Sequence, residues 1–167
     1  MEFEPKPISR EAVPAALDKA HRYRLLNEPS AAESICLDVL AVEPANQPAL
    51  ETIILALTDQ FDHDTAAGAR RARDYVRQLG DEYRRHYYSG IVCERQAMAT
   101  LRRSTLGTGV TAYACFRDAM QWYESAEKLS PAGNDDAILR WNTCARVLAR
   151  HPALVPAAAE AYEPSFD

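Results

Sequence analysis

The sequence predicts an all-α fold. Three observations carry this reading: apolar residues recur at helical spacing in seven separate stretches, proline clusters at the ends of those stretches, and no stretch alternates apolar and polar residues with the β-branched content of a strand. The chain has 167 residues, 47% of them hydrophobic and 26% charged, which suits one soluble domain with a continuous core. Only six glycines interrupt it.

The stretches follow in order. Residues 1–9 read as a flexible leader. A first helix over 10–26 carries Val13, Ala16, Leu17, Ala20, Tyr23 and Leu26 on one face, and Pro29 closes it because the residue before proline avoids helical backbone angles. Ser30 and Glu33 have capping-box spacing and start a second helix over 30–42, with Ala32, Ile35, Cys36, Val39 and Leu40 inward. Asn46 caps a third, over 46–60, through Leu50, Ile53, Ile54 and Leu57. A fourth covers 65–79 and ends at Gly80. A fifth covers 82–101, and residues 102–109 form a loop. A sixth covers 111–129. The seventh begins at Asn134, with Asp135 and Asp136 placed where a helix dipole favours acids, and ends near Arg150. Residues 151–167, broken by Pro152 and Pro156, form a cap or loose tail.

An internal repeat turns these helices into an architecture. Ala32, Cys36, Val39 and Pro44 have spacings of 4, 3 and 5, and Ala119, Tyr123, Ala126 and Pro131 repeat them 87 residues later. Ala20 and Tyr23 precede the first set, and Gly90 precedes the second. This pattern resembles the tetratricopeptide repeat family, in which small residues let paired helices approach and a larger residue fills the gap. The resemblance covers about residues 12–150, as three degenerate repeats plus a capping helix. Arg70 and Arg73 depart from it where apolar residues belong, so the fourth helix must be shifted. Trp141 departs from it where a small residue belongs, which fits a terminal helix.

The resemblance implies a right-handed α-α superhelix of antiparallel helix pairs. It also implies a concave groove lined by the first, third, fifth and seventh helices. Carried over position by position, the groove residues are His21, Arg24, Glu51, Leu55, Thr58, Arg84, Tyr87, Ile91, Glu94, Arg95, Asn142 and Arg146. Such a mix suits an extended peptide or helix with acidic groups. The family's chaperone-tail binders use Lys and Asn in the groove. Leu17 and His21 stand in the corresponding first-helix positions, so that ligand is not expected.

The residues themselves exclude or demote other functions. A net charge of −5 disfavours binding to phosphate backbones. Cys36, Cys93, Cys115 and Cys144 form no Cys-x-x-Cys pair and read as small buried hydrophobes, in keeping with the cytoplasm. No apolar run reaches membrane-spanning length. Gly107, Gly109 and Ala112 match a dinucleotide fingerprint in spacing, but the required preceding strand is missing. Asp59, Asp62, His63 and Asp64 read as an acidic turn rather than a metal site, and no catalytic motif is present. No cofactor and no enzymatic activity are expected.

Nine arginines between Arg70 and Arg103, interleaved with Tyr75, Tyr83, Tyr87 and Tyr88, leave two readings open. One is a surface for an anionic ligand. The other is a solvated face whose carboxylate partners lie on neighbouring helices. The expected function is a protein-binding adaptor. Self-association through Trp141, Leu148 and Leu154, or a small-anion or nucleotide site, are the alternatives. The loop at Ser104–Val110 is a second candidate contact.

Overall fold

The computed structural model describes residues 3–62, 65–103 and 108–154, and these form seven α-helices with no strand among them. They are α1 (Val13–Leu25), α2 (Pro29–Val42), α3 (Gln47–Asp59), α4 (Thr65–Val76), α5 (Glu82–Arg103), α6 (Thr108–Glu127) and α7 (Asp136–Arg150). Single 3-10 turns at Arg10–Ala12 and Pro152–Leu154 flank them. Each helix packs on its chain neighbours, and α3 also touches α1 and α5. Short connections between packed neighbours make consecutive helices antiparallel.

Prolines set the helix starts. Pro14, Pro29 and Pro48 each occupy the first or second helical position, where a missing N–H is harmless. Asn46 caps α3 as expected, its side-chain oxygen accepting from the Ala49 amide at 2.9 Å. Three local expectations are corrected. The capping box at Ser30 and Glu33 does not form: α2 starts one residue earlier, Ser30 donates to Gln60 Oε1, and Glu33 is drawn to Gln60 and Arg71. Tertiary partners thus outbid a local cap. Gly80 follows a turn beyond Val76, and its amide donates to Gln47 Oε1 at 2.9 Å instead of forming a left-handed cap. The loop between the fifth and sixth helices shrinks from both sides, because Arg102 and Arg103 belong to α5 and Thr108–Val110 to α6. Residues 104–107 lie outside the described residues.

The repeated spacing is a packing device in both copies. Ala32, Cys36 and Val39 are fully buried on α2, and Ala119, Tyr123 and Ala126 are fully buried on α6. Their partners Ala20 and Gly90 are buried on α1 and α5. The extra length of the second copy lies in α5 and α6, which run for 22 and 20 residues. The departure at α4 has a clear cause. Ala69, Ala72 and Val76 face the core, while Arg70, Arg71 and Arg73 face out. Leu26 leaves the apolar face predicted for it and is 64% exposed, because α1 ends at Leu25 and Asn27 turns the chain with a φ of 60°.

Among the described glycines the tightest approach is at Gly90. A Cβ placed there would lie 2.4 Å from Tyr123 Cε1, so the ring rests on bare backbone. In a helix interior, alanine is intrinsically better than glycine by about 1 kcal/mol, but overpacking a buried ring costs about 1–3 kcal/mol or more. Gly90→Ala is therefore expected to lower unfolding free energy in urea. Gly80→Ala is the control: its Cβ would meet nothing closer than 3.7 Å, and its midpoint should stay unchanged or rise.

Candidate functional site: the face shared by the odd-numbered helices

Polar side chains of α1, α3, α5 and α7 bond from each of these helices to the next in a ladder of separate clusters. Between α1 and α3, His21 Nε2 meets Thr52 Oγ1 at 2.7 Å and Arg24 grips Asp59 at 2.8 Å. Between α3 and α5, Arg84 pairs with Glu51 at 2.6 Å, the Tyr88 hydroxyl donates to the same carboxylate at 3.1 Å, and Arg95 approaches Asp59 at 3.7 Å. Between α5 and α7, Arg140 donates to Glu94 at 3.2 Å. The even-numbered helices bond both among themselves, as Arg71 of α4 does to Glu33 of α2, and to the odd-numbered ones, as Arg73 of α4 does to Gln96 of α5.

Glu94 is the buried end of this ladder, only 5% exposed. A carboxylate so enclosed must be paired and hydrogen-bonded. The Tyr123 hydroxyl donates to it at 2.6 Å, and Arg140 supplies the charge. Burial, with Glu94 beside it, pushes the Tyr123 phenol well above its ordinary value, and burial beside Glu51 does the same to Tyr88. Burial works against the charge on Arg140, yet Glu94 and Tyr87 hold its pKa above the usual value. Tyr87 joins an aromatic group, stacked on Tyr83 at 5.8 Å and edge-on to Tyr88 at 5.4 Å.

Two recesses open along the ladder. The first is polar, about 440 Å³, and is lined by Arg24, Thr58, Asp59, Asp62, Arg95 and Arg102, with Asn27 at its edge. The second, about 140 Å³, has an apolar floor of Met98, Phe116 and Val147 under Glu94 and Thr143. Arg95 and Arg102 line both.

The twelve projected residues separate accordingly. His21, Arg24, Glu51, Arg84, Glu94 and Arg95 take part in the ladder. Thr58 is nearly buried, donates to the Leu55 carbonyl and lines the polar recess. Leu55, Tyr87 and Ile91 pack into or against the core. On α7 it is Arg140, Thr143 and Val147 that meet α5 or line the recess beside it. Asn142 and Arg146 stand on the same helix, outside the Arg140, Thr143 and Val147 positions that reach Glu94 or line the recess. Asp59, Asp62, Arg102 and Arg140 were not projected. Their signal was present in part, since Asp59 and Asp62 stood out as acidic and Arg102 belonged to the arginine run.

That run is dispersed over different faces, and its members find varied partners: carboxylates of neighbouring helices, a side-chain amide, a turn carboxylate and backbone carbonyls. Arg71 meets Glu33, Arg84 meets Glu51, and Arg73 bonds Gln96. Arg102 meets Asp62 at 2.7 Å. His63 and Asp64 of the acidic turn lie outside the described residues. Among the described residues no group of three or more His, Cys, Asp or Glu converges as metal ligands. Gly109 and Ala112, from the dinucleotide-like spacing, lie in α6, whose preceding element is α5 rather than a strand. All four cysteines are unbridged, and burial raises every thiol, Cys36 and Cys144 to about 12. Thiols held in that state are poor nucleophiles.

No family model matches the chain, and neither the curated proteins nor the solved structures include a significant match.

The tyrosine linkages have a defined pH sign. Tyr88 and Tyr123 hold their protons more tightly folded than at the ordinary tyrosine value of 10.0, so above that pH the unfolded chain releases protons the folded chain keeps. Their contribution is complete below pH 10.0 and is lost as pH rises beyond it. Tyr123→Phe should cost about 1.5–3 kcal/mol at neutral pH, as for a hydrogen bond to a charged group. It should also flatten the alkaline limb of the stability profile in denaturant titrations.

Proposed function

We propose that this chain is a non-catalytic interaction module of tetratricopeptide-like helical pairs, binding a protein segment along the face shared by α1, α3, α5 and α7. The observation that supports this most is the pair of recesses joined by Arg95 and Arg102, one polar and one with an apolar floor. A segment with alternating polar and aliphatic side chains can satisfy both. Arg and Tyr supply the side chains most often dominant in binding energy. In this reading the helix pairs form a right-handed superhelix with the odd helices on its concave side, and the module works in the cytoplasm. No described helix is long and apolar enough to cross a membrane.

Self-association is a second reading, favoured by apolar exposure on the last helix pair. Leu139 is 60% exposed and Leu129 43%. Beside them a hollow of about 270 Å³ is lined by Ile138, Trp141, Glu124 and Glu127. A symmetric dimer would cover that face. Light scattering that shows a monomer at high concentration removes this reading.

Selection from a random-peptide library tests the first. Binders enriched on the wild-type chain should weaken at least about tenfold on a chain carrying Arg84→Ala, Tyr87→Phe and Arg95→Ala together. Circular dichroism should confirm that the variant is folded. Binders that hold equally well on the variant would remove this face from the account.

A further inference from the structure

The polar recess contains more cationic donors than its own carboxylates use. Arg24 spends Nε and one terminal nitrogen on Asp59, both at 2.8 Å. Arg102 spends Nε and one terminal nitrogen on Asp62, at 3.1 and 2.7 Å. Arg95 is different. Its closest carboxylate oxygen, on Asp59, is 3.7 Å away, and its guanidinium makes no hydrogen bond among the described residues. It is also the side chain, with Arg102, that borders both recesses. Three guanidinium groups therefore surround two carboxylates around a hollow of about 440 Å³, with one planar fork of donors unspent.

Asp59 occupies the place an incoming anion would take, between Arg24 and Arg95. A ligand carboxylate entering there only exchanges one monoanion for another. A phosphomonoester carries a charge of about −1.5 to −2 at neutral pH and three acceptor oxygens. It can engage the unspent Arg95 fork and share Arg24 or Arg102, outweighing repulsion from Asp59 and Asp62. Arginine forks match phosphate oxygens in bidentate geometry. The apolar floor of Met98, Phe116 and Val147 lies just across Arg95, so a ligand with an aliphatic group next to its phosphate gains a second anchor.

We propose that the recess around Arg24, Arg95 and Arg102 is a seat for a phosphomonoester carried by a peptide partner beside an aliphatic residue, with Asp59 as the internal group that holds the seat when it is vacant. This rests on the protein-binding reading of the same face and names the chemistry the face selects.

The test follows the arginine Nε–H resonances of the full isotope-labelled chain during titration with four probes. Three are capped short peptides with phosphoserine, serine or glutamate before a leucine, and the fourth is inorganic phosphate. The phosphoserine peptide should shift the Arg24 and Arg95 signals saturably, with the serine and glutamate twins at least about tenfold weaker. Inorganic phosphate should be weaker than the phosphopeptide. Arg95→Gln should weaken phosphopeptide binding about tenfold, and Asp59→Asn should tighten it. If Arg95→Gln fails to fold, the peptide comparison and Asp59→Asn still decide.

The proposal is overturned if the phosphoserine and serine peptides bind alike, if Asp59→Asn leaves affinity unchanged or weaker, or if free phosphate binds as tightly as the peptide. Failure here, with library-selected peptides still dependent on Arg84, Tyr87 and Arg95, sinks the phosphate seat alone. Failure of both sinks the face as a binding site.

Discussion

The Tyr123 ring lies directly on the backbone of Gly90, and its hydroxyl reaches Glu94 one turn further along α5. This contact fixes the distance between the two longest helices and their register. It works only because position 90 has no side chain. It also places a carboxylate in the core, which then requires Arg140 from α7 to balance it. A single close approach therefore ties α5, α6 and α7 together. Such a bond is demanding as well as stabilising, since removing either partner leaves a buried polar group exposed to the full cost of its desolvation.

Towards the other end the same ladder is built from more exposed pairs. Arg84 and Glu51 retain 45% and 26% of their side-chain exposure, so solvent and salt screen their attraction and each pair adds little to stability. This gradient bears on the proposed binding. Pairs that contribute little to folding can be broken by a ligand at little loss, whereas the Glu94 cluster cannot. The polar recess combines a half-enclosed pair, Arg24 and Asp59, with an exposed one, Arg102 and Asp62, and the apolar recess borders the fixed Glu94.

Much of this was legible along the chain. The helices follow from apolar periodicity and proline placement, both local. The repeated small–large–small spacing marked Ala32, Cys36 and Val39, and Ala119, Tyr123 and Ala126, as buried positions, and Gly90 as a point of close approach. Local signals failed where a side chain had a better distant partner. Ser30 and Glu33 have the spacing of a cap, yet Gln60 and Arg71 claim them. On α7 a projection by repeat spacing selected Asn142 and Arg146. The rotation of that helix is set instead by burial of Ala137 and Cys144, which turns Arg140, Thr143 and Val147 towards α5.

The sequence alone determined the all-helical class, the seven segments and the repeated small and large positions that meet in the core, because helix periodicity and side-chain size act over one or two turns. Only the tertiary structure decided which charges pair. Arg24, Asp59 and Arg95 come from three helices, and nothing in their spacing states that one carboxylate stands between two guanidinium groups. Coulomb attraction and hydrogen bonding depend on separations of a few ångströms, and those distances exist only once the helices have packed.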